Sequence, residues 1–233
     1  MSNRPLVKIC GVRSASLARA AVEAGADLIG IICHPDSRRY VDLVTAKEIA
    51  DVTRVMGGTP VAVFVDQSAA QMLEFCEMTG IDSVQLHGDR ARSEQRVLPA
   101  HYQQIYVYPV GAMGLRPVDL MQLRECDVQR DYVLFDHDNP GSGQLFAWDR
   151  LEYTGPLRMG IAGGLNRDNV AQMLERFSPE LVDISSGVED LGGEKDINLI
   201  REFITVVRHP EALAAKDLPD LVEIPRYARN DVE

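Results

Sequence analysis

The sequence predicts a single (β/α)8 TIM barrel with a short irregular C-terminal tail. Eight short runs of mostly apolar, β-favouring residues recur along the chain, and segments with apolar residues at helical spacing separate most of them. The runs are continuously apolar, as is typical of parallel strands buried on both faces. A count of eight favours a closed barrel over an open doubly wound sheet, and 233 residues are a common length for one such domain.

Predicted strands and helices alternate from the N-terminus onward. In chain order the strands are LVKIC, DLIGIIC, VAVFV, DSVQL, QIYVYPV, YVLFD, LRMGIA and LVDIS. The helical segments are SASLARAAVEAGA, TAKEIADVTRVMG, SAAQMLEFCEMTG, VDLMQLREC, NRDNVAQMLERF and INLIREFITVVR. Capping side chains predict helix starts at Ser14, Thr45, Ser68 and Asn166. Glycines predict helix ends at Gly25, Gly57 and Gly80.

Two units depart from this pattern, and so does the end of the chain. The fourth connection, GDRARSEQRVLPAHY, is a poor helix, and the sixth offers only FAWDRLEY. The final segment mixes proline with charged residues and has no helical or strand period. We therefore predict a barrel domain over residues 1–208 and a tail over 209–233.

The charge of the chain argues against nucleic acid and membranes as partners. Its formal net charge of -11 at pH 7 repels phosphate backbones and anionic lipid, and we find no basic patch that would offset it. No run of about 18 apolar residues is present, and the N-terminus lacks an apolar core of signal-peptide length. We expect a cytoplasmic protein, and the choice between monomer and homodimer stays open.

The four cysteines indicate a reducing compartment. Cys10, Cys33, Cys76 and Cys126 are too widely spaced for a CxxC metal or redox pair. Four cysteines in a chain of this length are also too few for a disulfide scaffold. We expect Cys33, Cys76 and Cys126 to be core residues.

Polar residues that end the apolar runs are the candidates for chemistry, because active sites of such barrels lie at the C-terminal ends of the strands. They are Cys10, Arg38, Arg39, Asp66, Gln85, His87, Asp136, Gly163, Gly164, Asp183, Ser185, Ser186 and Gly187. Cys10 and Asp136 would lie on opposite sides of the ring, as one potential acid and one potential base. The alternatives are an inert core cysteine and a carboxylate that caps a loop or pairs with an arginine. Asp138 competes with Asp136 for the same role.

The loops after strands 7 and 8 predict a phosphate site. Gly163 and Gly164 follow strand 7 and precede a helix, which leaves bare backbone N–H groups open to an anion. Ser186 and Gly187 follow strand 8, and loops after these two strands form the recurrent phosphate site of such barrels. The predicted partner is therefore a small phosphorylated molecule.

Other strand ends suit a second, carboxylate group on that molecule. An arginine at the mouth of strand 2, Arg38 or Arg39, is able to bind a carboxylate through two parallel hydrogen bonds, although both residues could simply face solvent. His87 is as well explained as a hydrogen-bonded loop residue as it is as a catalyst.

Nine segments of the chain match one enzyme family in the family's order. They are KICGVRS, SRRYV, PVAVFVD, VQLHGD, VLFD, GSGQLFAW, AGGLNRDNV, VDISSGVE and GEKD. On these motifs the chain resembles phosphoribosylanthranilate isomerase, an enzyme of tryptophan biosynthesis, from about Val7 to Arg208. The resemblance implies an aldose–ketose isomerisation of the Amadori type, without a metal or an organic cofactor.

The resemblance also implies a role for each site residue. It makes Cys10 the general base and Asp136 the general acid, which predicts a lowered pKa for the thiol and a raised one for the carboxyl. Lys8 lies on the same side of the strand as Cys10 and would favour a thiolate. Substrate contacts are implied for Arg39, Gln85, His87 and Asp183, with Arg39 at the anthranilate carboxylate, and phosphate contacts for Gly163, Gly164, Ser186 and Gly187.

The sequence departs from the family pattern beside the site. Arg38 stands where the family usually has proline, Cys33 and His34 stand where an aromatic strand end is common, and Pro140 replaces a glycine. These changes leave Cys10, Asp136 and Arg39 in place, so they bear on loop conformation and affinity more than on activity.

Two rival functions follow from the same barrel. One is another ribulose-phosphate-binding barrel, such as the histidine-pathway isomerase or a dual-substrate relative that performs the same rearrangement. Those enzymes use two aspartates at the catalytic strand ends, and Cys10 argues against them. A barrel that only binds a phosphorylated ligand or supports a partner enzyme needs no acid and base, so the presence of both Cys10 and Asp136 argues against that reading.

Overall fold

The computed structural model describes residues 4–111, 123, 126–138, 148 and 151–210 and confirms the predicted barrel. Eight parallel strands close in chain order, and β8 pairs back with β1. The strands are Leu6–Cys10 (β1), Leu28–Ile32 (β2), Thr59–Phe64 (β3), Ser83–Leu86 (β4), Gln103–Val110 (β5), Tyr132–His137 (β6), Arg158–Ile161 (β7) and Leu181–Ile184 (β8).

Helices follow β1, β2, β3, β4, β7 and β8 within the described residues. Within the described residues they are Ala15–Glu23 (α1), Leu43–Val55 (α2), Ala69–Thr79 (α3), Asp89–Ser93 (α4), Val170–Phe177 (α5) and Ile197–Arg208 (α6). The poor fourth unit forms only the short α4 and a 3-10 turn. None of the described helices is long and apolar enough to cross a membrane. Most of the predicted helix at 118–126, half of FAWDRLEY and the tail from residue 211 lie outside the described residues.

Two of the predicted helix starts are confirmed. The side chain of Ser14 accepts a hydrogen bond from the backbone of the first turn of α1. Ser68 caps α3 in a reciprocal capping box with Gln71, in which each side chain bonds the other residue's backbone N–H. Gly80 ends α3 in the left-handed conformation, with φ 68°, which glycine adopts without strain.

The other two predicted starts are wrong. The side chain of Asp42 caps α2, and the N-cap residue of α5 is Asn169, which makes no side-chain capping hydrogen bond. Thr45 lies in the first turn of α2 and donates its backbone N–H to Asp42, which is the N-cap, at 2.8 Å. Asn166 precedes α5 by a turn of its own, since its side chain accepts the backbone N–H of Asp168 at 2.8 Å, and α5 begins only at Val170. Polar residues cluster at both places, so composition alone does not select the capping residue.

Alternation along β1 divides its side chains between two environments. Val7 and Ile9 are fully buried in the core beneath the helices, whereas Lys8 and Cys10 face the barrel interior. A separate apolar cluster fills the interior with residues from strands around the ring: Leu28, Val61, Ile105, Val107, Tyr132, Leu134, Ala162 and Leu181. The interior is thus packed, and polar groups enter it only where they carry partners or line the cavity described below.

The last described helix, α6, is hydrogen-bonded to the residues around the start of β1, at the N-terminal ends of the strands. Arg208, at the end of α6, donates to the carbonyl of Pro5 at 2.9 Å, to the carbonyl of Gly25 at 3.1 Å and to Asp27 Oδ2 at 2.6 Å. The same Oδ2 accepts the backbone N–H of Val7 at 2.7 Å. One guanidinium therefore joins α6, the start of β1 and the turn before β2.

Candidate active site

A cavity of about 360 Å³ opens at the C-terminal ends of the strands, where such barrels bind their substrates. Nine of the ten residues predicted for the site line it. They are Cys10, Arg39, Gln85, His87, Asp136, Gly163, Gly164, Asp183 and Ser186. The cavity is also lined by His34, Ser37 and apolar residues from β2, β3 and β8.

Gly187 is the predicted residue that does not line the cavity. It follows Ser186 in the 3-10 turn Ser186–Val188, and its Cα packs against the backbone carbonyl of Leu165, where a side chain would collide. A glycine is therefore needed here for the close approach of two loops.

Cys10 ends β1 and lines the cavity. It is 7% exposed, and an added Cβ on Gly30 in the neighbouring strand would lie 2.9 Å from its Sγ and 3.0 Å from Lys8 Nζ. Burial raises the pKa of the thiol, and the charge of Lys8 offsets the increase only in part. The predicted lowering of this pKa is therefore wrong, because desolvation outweighs the nearby cation, although Lys8 does lie beside Cys10 as alternation predicts.

Asp136, near the end of β6, is a buried carboxyl with a raised pKa. It is 9% exposed, and its Oδ1 accepts the backbone N–H of His137 at 2.7 Å. Burial and the charge of Asp183 raise the pKa of Asp136 to about 7. The predicted increase is confirmed, so at neutral pH this group still carries its proton in a large fraction of molecules.

Asp138 is in a different environment from Asp136. Its side chain is 52% exposed and pairs with Nδ1 of His137 at 3.2 Å. It does not line the cavity. Of the two candidate carboxyls, only Asp136 is placed to reach a molecule bound there.

Gln85 and His87 form a neutral pair beside Asp136. Nε2 of Gln85 lies 3.2 Å from Nδ1 of His87, and Nε2 of His87 lies 3.8 Å from Oδ2 of Asp136. Burial, followed by the charges of Lys8 and Arg92, lowers the pKa of His87 to about 4. The imidazole is therefore uncharged at neutral pH. With Gln85 as the donor, the ring proton lies on Nε2, on the side of Asp136.

Asp183 in β8 forms an ion pair with Lys8 inside the barrel. Lys8 Nζ lies 2.8 Å from Oδ2 of Asp183, and the two side chains are 0% and 6% exposed. The other carboxylate oxygen, Oδ1, is buried without a hydrogen-bond partner among the described residues. An unpaired acceptor on a cavity-lining side chain is suited to a hydroxyl group of a bound sugar.

Arg39 reaches the cavity but is already held by a carboxylate that our sequence reasoning did not select. Its Nε and Nη2 donate to Oε1 and Oε2 of Glu189 at 2.6 and 3.0 Å. Lys195 Nζ donates to the same Oε1 at 2.7 Å. The motifs SSGVE and GEKD contain Glu189 and Lys195, so the signal was present, but neither residue ends an apolar run.

The two glycines after β7 adopt the left-handed conformation. Gly163 has φ 81° and Gly164 φ 67°, which a residue with a side chain adopts only with strain. A Cβ on Gly163 would also lie 2.9 Å from Oδ1 of Asp136. The pair therefore brings bare backbone against both the cavity and the carboxyl, with Ser186 lining the same cavity.

The remaining candidates lie around this cavity or outside the described residues. Arg38 is 58% exposed and donates to Oε2 of Glu189 at 2.7 Å rather than lining the cavity. Asp66 pairs with His34 at 3.1 Å and is mostly exposed. Cys33, Cys76 and Cys126 belong to the core as predicted, and no disulfide joins any of the four cysteines, all of which are described. Pro140 lies outside the described residues.

A closed parallel barrel with a carboxyl and a thiol lining one cavity at its C-terminal mouth defines a (β/α)8 enzyme of the acid–base class. The model of the N-(5'-phosphoribosyl)anthranilate isomerase family matches residues 7–206, and the chain belongs to this family. Its activity is that of the isomerase of tryptophan biosynthesis.

Curated relatives carry the same name over nearly the whole chain. N-(5'-phosphoribosyl)anthranilate isomerase of Streptococcus pneumoniae (strain Taiwan19F-14) is 39% identical over 206 residues, covering 87% of this chain and 96% of the relative. The chloroplastic N-(5'-phosphoribosyl)anthranilate isomerase 1 of Arabidopsis thaliana is 38% identical over 210 residues, covering 88% of this chain and 76% of the relative.

Solved structures of the family share the fold. A phosphoribosyl anthranilate isomerase in complex with reduced 1-(o-carboxyphenylamino)-1-deoxyribulose 5-phosphate has a TM-score of 0.69 and 29% identity, covering 88% of this chain and 98% of that one. A structure of mutually generated monomers of the dimeric phosphoribosylanthranilate isomerase from Thermotoga maritima has a TM-score of 0.67 and 28% identity. It also covers 88% of this chain and 98% of that one.

Proposed function

We propose that this protein converts N-(5-phosphoribosyl)anthranilate into 1-(2-carboxyphenylamino)-1-deoxyribulose 5-phosphate with Asp136 as general acid and Cys10 as general base. The observation that carries the assignment is that these two groups line one cavity, and that the carboxyl is buried enough to keep a proton near neutral pH. An Amadori rearrangement needs one group that gives a proton and one that takes a proton.

Asp136 acts first in this mechanism. It protonates the furanose ring oxygen as the bond from that oxygen to C1' breaks, and the lone pair of the anthranilate nitrogen forms the C=N bond of a Schiff base. Cys10 then removes the proton from C2', and the electron pair of the C–H bond moves toward nitrogen to give an enolamine. Tautomerisation of the enolamine yields the ketone, so the protons balance without an external oxidant or reductant.

The protonation states of the two groups follow from their surroundings. The raised pKa of Asp136 supplies the acid form directly. The pKa of Cys10 is also raised, so the thiolate is a minor form in the ligand-free barrel, and the charges of Lys8 and Lys195 are what favours it. Catalysis then proceeds through the fraction of molecules in which Asp136 holds its proton and Cys10 has lost its own.

The two anionic ends of the substrate suit different groups at the cavity rim. Arg39 is assigned the anthranilate carboxylate, since guanidinium groups bind carboxylates with defined geometry. Gly163, Gly164 and Ser186 are assigned the phosphate, and Gly187 supports their loop by its close packing. Gln85, His87 and the unpaired Oδ1 of Asp183 are assigned to the sugar and the catalytic carboxyl between these ends.

A direct assay tests this function. N-(5-phosphoribosyl)anthranilate, generated in place from anthranilate and phosphoribosyl pyrophosphate by the transferase of the preceding step, is fluorescent, and its conversion is followed as loss of that fluorescence. We expect turnover by the folded protein and inhibition by inorganic phosphate that weakens when Ser186 is replaced by alanine. A folded protein that binds the substrate without turnover would support a ligand-binding barrel instead.

We place the enzyme in the cytoplasm, as the chain's composition and reduced cysteines suggest, while noting that the Arabidopsis relative is described as chloroplastic. It needs a small phosphorylated substrate and neither nucleic acid nor a membrane. The Thermotoga relative is described as dimeric, and this chain is proposed to be a monomer or a homodimer with its catalytic domain within residues 1–208.

A further inference from the structure

The loop after β8 folds into a small hairpin, here called the β8 hairpin (residues 189–195). Glu189 and Lys195 form its antiparallel bridge. The backbone N–H of Asp190 donates to the carbonyl of Glu194 at 2.8 Å, and Gly193, with φ 80°, allows the turn. The two ends of the hairpin therefore present one acidic and one basic side chain side by side.

Glu189 is the centre of a buried charged cluster. Its carboxylate accepts two hydrogen bonds from Arg39, one from Arg38 and one from Lys195, with N···O distances of 2.6 to 3.0 Å. The side chains of Glu189 and Lys195 are 5% and 3% exposed. Burial alone would raise the pKa of Glu189, but the hydrogen bonds from Arg39 and Lys195 outweigh it and lower the pKa to about 2. Glu189 is therefore ionised at neutral pH.

The cluster is also joined to the strand that carries Cys10. Lys195 Nζ donates to the carbonyl oxygen and to Oγ of Ser185, at 2.9 and 3.1 Å, and Ser185 Oγ donates to the carbonyl of Cys10 at 3.0 Å. The stem of Arg39 packs over Gly11, where an added Cβ would lie 2.5 Å from Arg39 Cδ. Arg39 is thus held from two sides, by Glu189 at its head and by the end of β1 along its stem.

We propose that Glu189 and Lys195 are positioning residues for Arg39. The two-point contact with Glu189 fixes the plane of the guanidinium before substrate binds, so rotamer freedom is lost on folding rather than on binding. Lys195 balances the negative charge that Glu189 would otherwise turn toward a carboxylate substrate. Three cations around one carboxylate leave the rim positive, which suits an anionic aromatic acid. This inference rests on the proposed role of Arg39 at the anthranilate carboxylate.

The test compares two ligands in wild type and in Glu189→Gln, a change that keeps the shape of the side chain and removes its charge. One ligand is the product, which carries the carboxyphenyl group, and the other is ribulose 5-phosphate, which lacks it. We expect the variant to bind the product about tenfold more weakly and to show a KM about tenfold higher, with kcat within about threefold of wild type. Binding of ribulose 5-phosphate should not change.

Two further variants separate positioning from general damage to the loop. Glu194→Gln removes a charge from the same hairpin, where Glu194 is 62% exposed and pairs with Arg13, and it should leave all constants unchanged. Lys195→Met should weaken product binding because Glu189 loses its counter-charge. The double variant Glu189→Gln/Lys195→Met should lose less than the two single effects combined, since each residue acts through the other.

The outcomes distinguish this inference from the function on which it rests. No turnover by wild type, or unchanged product affinity in Arg39→Gln, would refute the proposed function or the role of Arg39. Weaker product binding in Arg39→Gln together with normal binding in Glu189→Gln would overturn the positioning role alone. In Glu189→Gln, an equal loss of affinity for the product and for ribulose 5-phosphate, or a fall in kcat that matches the rise in KM, would also overturn the positioning role. If Glu189→Gln does not fold, Glu189→Asp is judged by the same pair of ligands.

Discussion

The two walls of the cavity are about equally buried but differ in charge. The wall formed by β1 and β8 places Lys8, Asp183 and Lys195 around Cys10. On the wall formed by β4 and β6, Asp136 accepts a backbone N–H and has a neutral imidazole as its neighbour at 3.8 Å. Within its own wall, therefore, the thiol has ionised neighbours, whereas the side chain next to the carboxyl is uncharged.

This difference shows how one cavity treats two acids differently. Burial raises the pKa of both groups, because it disfavours the charged form of each. The charge of Asp183 adds to that effect at both groups. At Cys10 the cations Lys8 and Lys195 oppose it, whereas at Asp136 the effect of Lys8 is smaller than that of Asp183. Burial and the charge of Asp183 thus keep the carboxyl protonated near pH 7, while the cations beside the thiol favour its thiolate without overcoming the effect of burial.

Breaking the charged wall should have the largest effect. Lys8→Met leaves Asp183 buried without its partner, and the removal of one member of such a pair costs about 3–5 kcal/mol of unfolding free energy. Urea denaturation measures it. Replacing both residues, as Lys8→Met/Asp183→Leu, should recover most of the loss. A single variant as stable as wild type would mean that the pair contributes nothing to the packed interior.

Removing the acid from the uncharged wall should be next in size. Asp136→Asn keeps the shape of the side chain but has no proton to give, and we expect kcat to fall at least ~100-fold. Initial rates of fluorescence loss measure it, with circular dichroism as the check on folding. Asp138→Asn, two residues along and half exposed, is the matched control and should stay within about twofold of wild type. Equal effects from the two changes would remove Asp136 from its role.

Removing the base should slow the reaction by a similar factor, again at least ~100-fold for Cys10→Ala. The reason is that C2' keeps its proton once the thiolate is absent. Cys33→Ala is the control, because Cys33 is a buried cysteine of the core that does not line the cavity. A near-normal rate in Cys10→Ala would indicate that another group takes the proton.

The pH dependence of kcat/KM also tests the difference between the two walls. It is the smallest of the expected effects, a change of about tenfold for each pH unit. The active form needs a protonated Asp136 with a pKa of about 7 and an ionised Cys10 with a pKa above its usual value. Below pH 7 the acid is in place and the thiolate fraction grows with pH, so kcat/KM rises tenfold per unit. Above pH 7 the loss of the acid form cancels that gain, and kcat/KM levels off until Cys10 itself titrates.

Two controls assign the limbs of this profile. The rate of Cys10 alkylation by iodoacetamide in the ligand-free protein should keep rising beyond pH 9, which identifies the alkaline limb. Binding of ribulose 5-phosphate across the same range corrects for titration of the phosphate group. A kcat/KM that falls as pH rises through 7 would show instead that Cys10 is already a thiolate at neutral pH.

The sequence predicted the fold and most of the cavity for one physical reason. In a parallel barrel the residues that end apolar runs meet at one mouth, so periodicity and strand ends were enough to select Cys10, Asp136 and Asp183. Strand ends did not predict Glu189, because it lies five residues beyond β8 and begins the β8 hairpin beside the cavity rim. The raised pKa of Cys10 was not predicted, because alternation along the strand places Lys8 correctly but does not show how deeply the thiol is buried.

The hydrogen bonds of Arg208 and the late position of β8 bear on how the chain folds during its synthesis. The ring of strands closes where β8 pairs with β1, and Arg208 joins the last described helix to the residue before the first strand and to the turn before the second. A nascent chain that has left the ribosome only as far as β7 holds the thiol and the carboxyl but neither β8 nor this fastening. The complete catalytic mouth, which includes Asp183 and Ser186, therefore forms only in translation products that contain β8 and the loop after it.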